Sequence, residues 1–138
     1  GHEMGRLYAV NLKSSGFFND IDILIPVPLH PSKERKRGFN QSLCISEGLS
    51  EVSGLPVNIT TLKRALASDT QTKRSRYDRW VNVDGIFETD RTHELAGKHV
   101  LLVDDVITTG STIEACASEL LKIENVKVSV LALAVAIQ

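Results

Sequence analysis

The apolar positions of this chain fall into short blocks whose spacing switches between helical and strand periods. In residues 3–13, Met4, Leu7, Tyr8 and Leu12 form one helical stripe, which Ser14-Ser15-Gly16 ends. Asp22 to Pro28 reads as a short buried strand running into a proline-rich turn. After a charged loop, Phe39, Leu43, Ile45, Leu49 and Val52 recur at helical spacing until Gly54 and Pro56 stop the run. Val57 to Leu62 is expected to be a second strand. Ala65 to Asn82 keeps no sustained period, and a loop that long in a compact domain is usually functional or disordered. Gly85-Ile86-Phe87 reads as a strand fragment that pairs after this loop. His99 to Val103 is then a strand, Ser111 to Ile123 a helix and Val126 to Ile137 a last strand. Helices alternating with fully apolar strands predict the α/β class, with a mainly parallel sheet flanked by helices.

Composition narrows the picture without changing it. The 138 residues fit one domain with a single core, and 42% apolar and 24% charged residues are ordinary for a globular chain. A net charge of -1 argues against binding nucleic acid by bulk charge, which leaves the local clusters 33–37 and 73–79 to consider. No run approaches the roughly 20 apolar residues of a membrane span, so none is expected. The start carries no basic-then-apolar signal peptide. Cys44 and Cys116 stand far apart in helix-like patterns and read as buried, reduced thiols of a cytoplasmic protein; their spacing supports neither a disulfide nor a zinc site. His30, His93 and His99 receive no role. The opening Gly1-His2-Glu3-Met4 reads as a tag remnant or as the edge of a domain cut from a longer chain.

Chemistry concentrates in residues 100–113. An apolar strand ends in two carboxylates, Asp104 and Asp105, followed by Thr108-Thr109-Gly110-Ser111-Thr112 and at once by an amphipathic helix. A ligand would then sit beyond the carboxyl end of a parallel strand, where open α/β sheets bind small molecules. The unpaired N–H groups and dipole of the helix start favour an anion. Gly110 would let the backbone come close to a phosphate, and the hydroxyls add donors. Carboxylates suit a pair of sugar hydroxyls rather than a phosphate. Phosphate on the loop and a vicinal diol on the acids describe a ribose 5-phosphate. A response-regulator receiver would carry its paired aspartates at the start of the domain. A dinucleotide turn or an ATP P-loop would need glycine patterns that are absent.

The stretch Val-Leu-Leu-Val-Asp-Asp-Val-Ile-Thr-Thr-Gly-Ser-Thr resembles the phosphoribosyl-pyrophosphate motif of type I phosphoribosyltransferases. Pro26-Val27-Pro28-Leu29-His30-Pro31, a basic segment and Gly38-Phe39-Asn40-Gln41 resemble the ComF branch of that family, which is associated with competence and DNA uptake. Asp69 to Val83, ahead of Gly85-Ile86-Phe87, resembles the same branch, although Lys73 or Arg74 stands where a leucine is common. The resemblance implies a single Rossmann-like domain over residues 20–138, with residues 1–19 as its N-terminal helix and a flexible lid loop. The upstream zinc ribbon of many relatives has no counterpart here. It implies that Asp104 and Asp105 hold the ribose hydroxyls and that Thr108, Thr109, Gly110, Ser111 and Thr112 wrap the 5-phosphate. Pro28 and Leu29 would lie at the pyrophosphate. Arg76 and Arg79, with Lys73 or Arg74, would reach it from the lid, since guanidinium forks match phosphate oxygens. Tyr77 and Trp80 would cover the site or anchor the loop.

On this resemblance the expected activity is transfer of a phosphoribosyl group to an unidentified acceptor, with Mg²⁺ brought in on phosphoribosyl pyrophosphate. The catalytic set would be Asp104, Asp105, Arg76 and Arg79, with no dedicated metal ligands and no identifiable general base. Two other functions stay open: a non-catalytic sensor of phosphoribosyl pyrophosphate or AMP-like nucleotides, and an accessory of DNA uptake that binds single-stranded DNA or the competence machinery through the basic clusters. A homodimer is compatible with each.

Overall fold

The computed structural model describes residues 1–29, 35–36, 38–65 and 86–136. Helix α1 (His2–Ser14) leads into strand β1 (Ile23–Pro26), and helix α2 (Gln41–Ser53) follows. A small antiparallel pair comes next, β2 (Leu62–Arg64) with β3 (Phe87–Thr89), in register Leu62↔Thr89 and Arg64↔Phe87. A single 3-10 turn (Thr92–Glu94) precedes β4 (His99–Ile107), α3 (Ser111–Leu120) and β5 (Lys127–Val135). The main sheet has the order β1-β4-β5 and is parallel throughout. Its helices cover both faces, as the alternation of elements predicts.

The reason both faces are covered lies in the strands themselves. Successive strand side chains point to opposite faces, and here both sets are apolar. Leu24, Leu101 and Val103 pack with Ala9, Ile45 and Leu49 under α1 and α2. Ile23, Ile25, Val100 and Leu102 pack with Ala115, Cys116 and Leu120 of α3 and with Leu62 and Phe87 of the small hairpin. Parallel strands buried on both sides read as continuous apolar runs, as β1 and β4 do. Strand β5, whose apolar run also reads as a buried strand, is instead half-buried to exposed along its length, because it lies at the edge of the sheet.

Three elements differ from their sequence reading. The stripe of Met4, Leu7 and Tyr8 faces outward, at 48%, 59% and 43% exposure, and α1 instead buries Gly5 and Ala9. Small residues are needed there because α2 crosses very close: a Cβ on Gly5 would strike the Ile45 carbonyl, and one on Gly48 would strike the His2 carbonyl. The strand expected over 57–62 is divided. Val57 bridges to Leu24 beside β1, but Asn58 then accepts the N–H groups of Thr60 and Thr61 in a tight turn, and β2 begins only at Leu62. Strand β4 runs on past Val103 to Ile107, because β5 pairs with it through Asp104↔Ala132, Val106↔Ala134 and Ile107↔Val135. The fragment at Phe87 does pair, with β2, as expected.

Among the described residues no helix is long and apolar enough to cross a membrane. Both cysteines are free thiols, but only Cys116 is buried as expected, and Cys44 is half-buried. Burial and the negative Asp104 push the Cys116 thiol up to about 12, which leaves it an inert core residue. His99 bonds through Nε2 to the Ser129 hydroxyl at 2.7 Å, a structural tie between neighbouring strands.

Candidate functional site

The site grows from the carboxyl end of β4. Pairing with β1 ends at Pro26↔Val103, so Asp104 is the first β4 residue beyond the end of β1. The gap lets the first turn of α2 reach over to it. That turn is well determined: Asn40 caps α2 by accepting the N–H groups of Ser42 and Leu43 at 2.9 and 3.4 Å. The Asn40 amide also donates to the Val27 carbonyl at 3.2 Å, pinning the helix start to the end of β1. From this position the Ser42 hydroxyl donates to Asp104 Oδ1 at 3.2 Å.

Asp104 is 9% exposed. Its Oδ1 also accepts the Asp105 N–H at 2.9 Å, and Asp105 Oδ1 accepts the Val106 N–H at 2.8 Å. Burial, and then the adjacent Asp105 carboxyl, push Asp104 from the usual carboxylate value up to about 6; the Asp105 N–H and the Ser42 hydroxyl oppose that rise. Among the described residues no group of three or more His, Cys, Asp or Glu is arranged to hold a metal ion.

The hydroxyl loop closes the other side. Gly110 has φ 84°, a left-handed conformation that glycine adopts without strain, and it forms the N-cap of α3. A Cβ there would meet nothing within 4 Å, so the requirement is conformational rather than one of space. The Gly110 carbonyl accepts the Glu114 N–H at 2.9 Å, and Thr109 Oγ1 accepts the Ser111 N–H at 3.3 Å. The N–H groups of Thr112 and Ile113 have no acceptor among the described residues and open on the loop. Asp104, Thr108, Thr109, Gly110 and Thr112 line one hollow of about 40 Å³. That is far below the roughly 300 Å³ of a whole-ligand pocket, and suits one anionic end of a larger molecule.

The structure therefore brings Asp104 together with Thr108, Thr109, Gly110 and Thr112, whereas Asp105 and Ser111 are not among the residues that line this hollow. Pro28 and Leu29 do not share that hollow. With Pro26, Asn40, Leu43, Ile59 and Leu62 they line a second, mostly apolar one of about 180 Å³, and Asn40 is the link between the two. Lys73, Arg74, Arg76, Tyr77, Arg79 and Trp80 lie outside the described residues, as do His30, Lys33, Glu34 and Arg37. Arg35 and Lys36 are exposed. Ser42 had no role in the sequence reading. Only the Gly38-Phe39-Asn40-Gln41 stretch just before it pointed toward this helix start.

Comparison with known proteins places this arrangement among relatives. Residues 40–138 match the family described as phosphoribosyl transferase domain. Competence protein F of Haemophilus influenzae is 35% identical over 114 residues, covering 82% of this chain and 50% of that protein. Competence protein ComFC of Bacillus subtilis is 32% identical over 100 residues, covering 72% of this chain and 38% of that protein. The chain thus spans half or less of the length of these relatives. Among solved structures, a purine phosphoribosyltransferase from Pyrococcus horikoshii shares the fold, with TM-score 0.58 at 18% identity, over 92% of this chain and 70% of that one.

Proposed function

Because the chain belongs to the phosphoribosyl transferase domain family, in its competence-associated ComF branch, we propose that it binds phosphoribosyl pyrophosphate at the end of β4 and transfers the phosphoribosyl group to an acceptor. The observation that carries this reading is the hollow shared by Asp104 and the Thr108–Thr112 loop. Its small volume and free N–H groups fit the 5-phosphate. The Asp104 carboxylate on its wall fits a ribose hydroxyl, to which it can only be an acceptor, and Asp105 is assigned to the second hydroxyl on the family resemblance. Pro28, Leu29, Arg76, Arg79, Lys73 and Arg74 are assigned to the pyrophosphate on the family resemblance.

In the reaction, a nucleophile on the acceptor attacks the anomeric carbon and its bond to pyrophosphate breaks, with inversion, through an oxocarbenium-like transition state. Asp104 and Asp105 hold the sugar by its hydroxyls, and the loop holds its phosphate, so the anomeric carbon is fixed in position for attack. Basic side chains stabilise the departing pyrophosphate. Mg²⁺ would arrive on the ligand's own phosphate and sugar oxygens and would there neutralise charge on the leaving group.

Calorimetric titration with phosphoribosyl pyrophosphate and Mg²⁺ tests this. Wild type should bind in the micromolar range (about -8 kcal/mol), and Asp104→Ala/Asp105→Ala should lose it. A folded wild type that does not bind would remove the reading. The competence names of the relatives favour one second function, an accessory that binds single-stranded DNA during uptake.

A further inference from the structure

Asp104 is held from the protein side through one oxygen. Its Oδ1 accepts both the Asp105 N–H and the Ser42 hydroxyl, whereas Oδ2 has no donor among the described residues. Ser42 is itself 4% exposed and lies 62 residues earlier in the chain. Serines inside helices commonly turn the hydroxyl back to the carbonyl four residues before. Ser46, one turn further along α2 and fully buried, does this, donating to the Ser42 carbonyl at 2.9 Å. Ser42, in the first turn of α2 with no helical carbonyl four residues before it, directs its hydroxyl to the acid. Its backbone is fixed from both ends, its N–H by the Asn40 cap and its carbonyl by Ser46. A continuous set of bonds therefore runs from the Val27 carbonyl through Asn40 and α2's first turn to Asp104.

We propose that Ser42 is a positioning residue for the ligand-binding acid: its hydroxyl and the Asp105 N–H clamp Oδ1 and leave Oδ2 presented to a sugar hydroxyl. This rests on the phosphoribosyl reading above. The same bond favours the ionised carboxylate. Among the described residues the ionisable groups around Asp104 are Asp105 on its own strand and the Cys116 thiol on α3; burial and Asp105 drive Asp104 toward its neutral form, and Ser42 acts against them.

The test is titration of phosphoribosyl pyrophosphate with Mg²⁺ between pH 5 and 8 into wild type, Ser42→Ala, Ser46→Ala and Asp104→Ala/Asp105→Ala. Ser42→Ala should bind about tenfold more weakly at pH 7, on the usual strength of a hydrogen bond to a charged group. The pH at which its binding is half lost should also move upward, because an acid without that donor ionises later. Ser46→Ala removes an equally buried hydroxyl from the same helix and should keep both the affinity and the midpoint of wild type. A Ser42→Ala protein with the wild-type midpoint overturns the inference, whatever its affinity. Equal losses in the two serine variants overturn it as well, since that is the mark of packing alone. Either result leaves the phosphoribosyl reading standing, provided the double aspartate variant has lost binding. A wild type that binds nothing removes that reading, and the role of Ser42 with it.

Discussion

Asp104 is an acid in a place where an acid is costly. Burial and its neighbour raise it to about 6, so the folded chain holds this proton more tightly than the unfolded chain does. The stabilisation is then fully present below about pH 4 and is lost as pH rises through about 6. At neutral pH the ionised side chain costs on the order of 2 to 3 kcal/mol. Asp104→Asn keeps the shape and removes the charge. It should be more stable than wild type at pH 8, and its stability should be flatter between about pH 4 and 6. Urea unfolding at a series of pH values measures this, and a variant weaker than wild type at pH 8 would contradict it. An ionised group retained against stability fits a residue kept for a ligand. Asp104 and the loop were legible in the sequence because the strand, acids, hydroxyls and helix start are contiguous. Ser42 was not, because its significance lies in a partner 62 residues away.

The packing of α1 on α2 depends on absent side chains. Gly5 and Gly48 let the two backbones approach so closely that added Cβ atoms would collide with carbonyl oxygens. Alanine is favoured over glycine in helices by about 1 kcal/mol, yet overpacking of this kind costs roughly 1 to 3 kcal/mol. Gly48→Ala should therefore lower the thermal midpoint, and Gly54→Ala would not report on this contact, since Gly54 closes α2 with φ 78° and open space around it. Differential scanning calorimetry decides the matter; a Gly48→Ala protein as stable as wild type would mean the helices separate freely. Helix existence was readable from spacing and the end of α2 from Gly54, whereas its start at Gln41, behind the Asn40 cap and two residues after the apolar pattern opens at Phe39, came from the structure. The inward face of α1 was not readable either. Met4, Leu7 and Tyr8 make the more apolar stripe, but the partner helix selects for small residues.

For the chain as a folded unit, the two functional readings predict opposite responses to ligand. A molecule that binds only the folded state at a hundred times its Kd adds about 2.7 kcal/mol, which is roughly 10 °C in the midpoint for a chain of this size. Phosphoribosyl pyrophosphate with Mg²⁺ should give a saturable rise of that order. Oligothymidylate at 150 mM salt should give none, as a net charge of -1 offers little bulk attraction. The reverse pattern would bring the DNA accessory forward. The α/β class, its parallel sheet and the segment bearing the chemistry were all set out in the order of residues, because hydrophobic period and a contiguous motif are local information. Folding alone decided that β4 continues through the acids, since that length comes from pairing with β5. It also decided that α1 turns its smallest residues inward, that Pro28 and Leu29 line a separate hollow, and that Ser42 meets Asp104. Each of these depends on contact between residues far apart in the chain, and such energies exist only once the elements have packed.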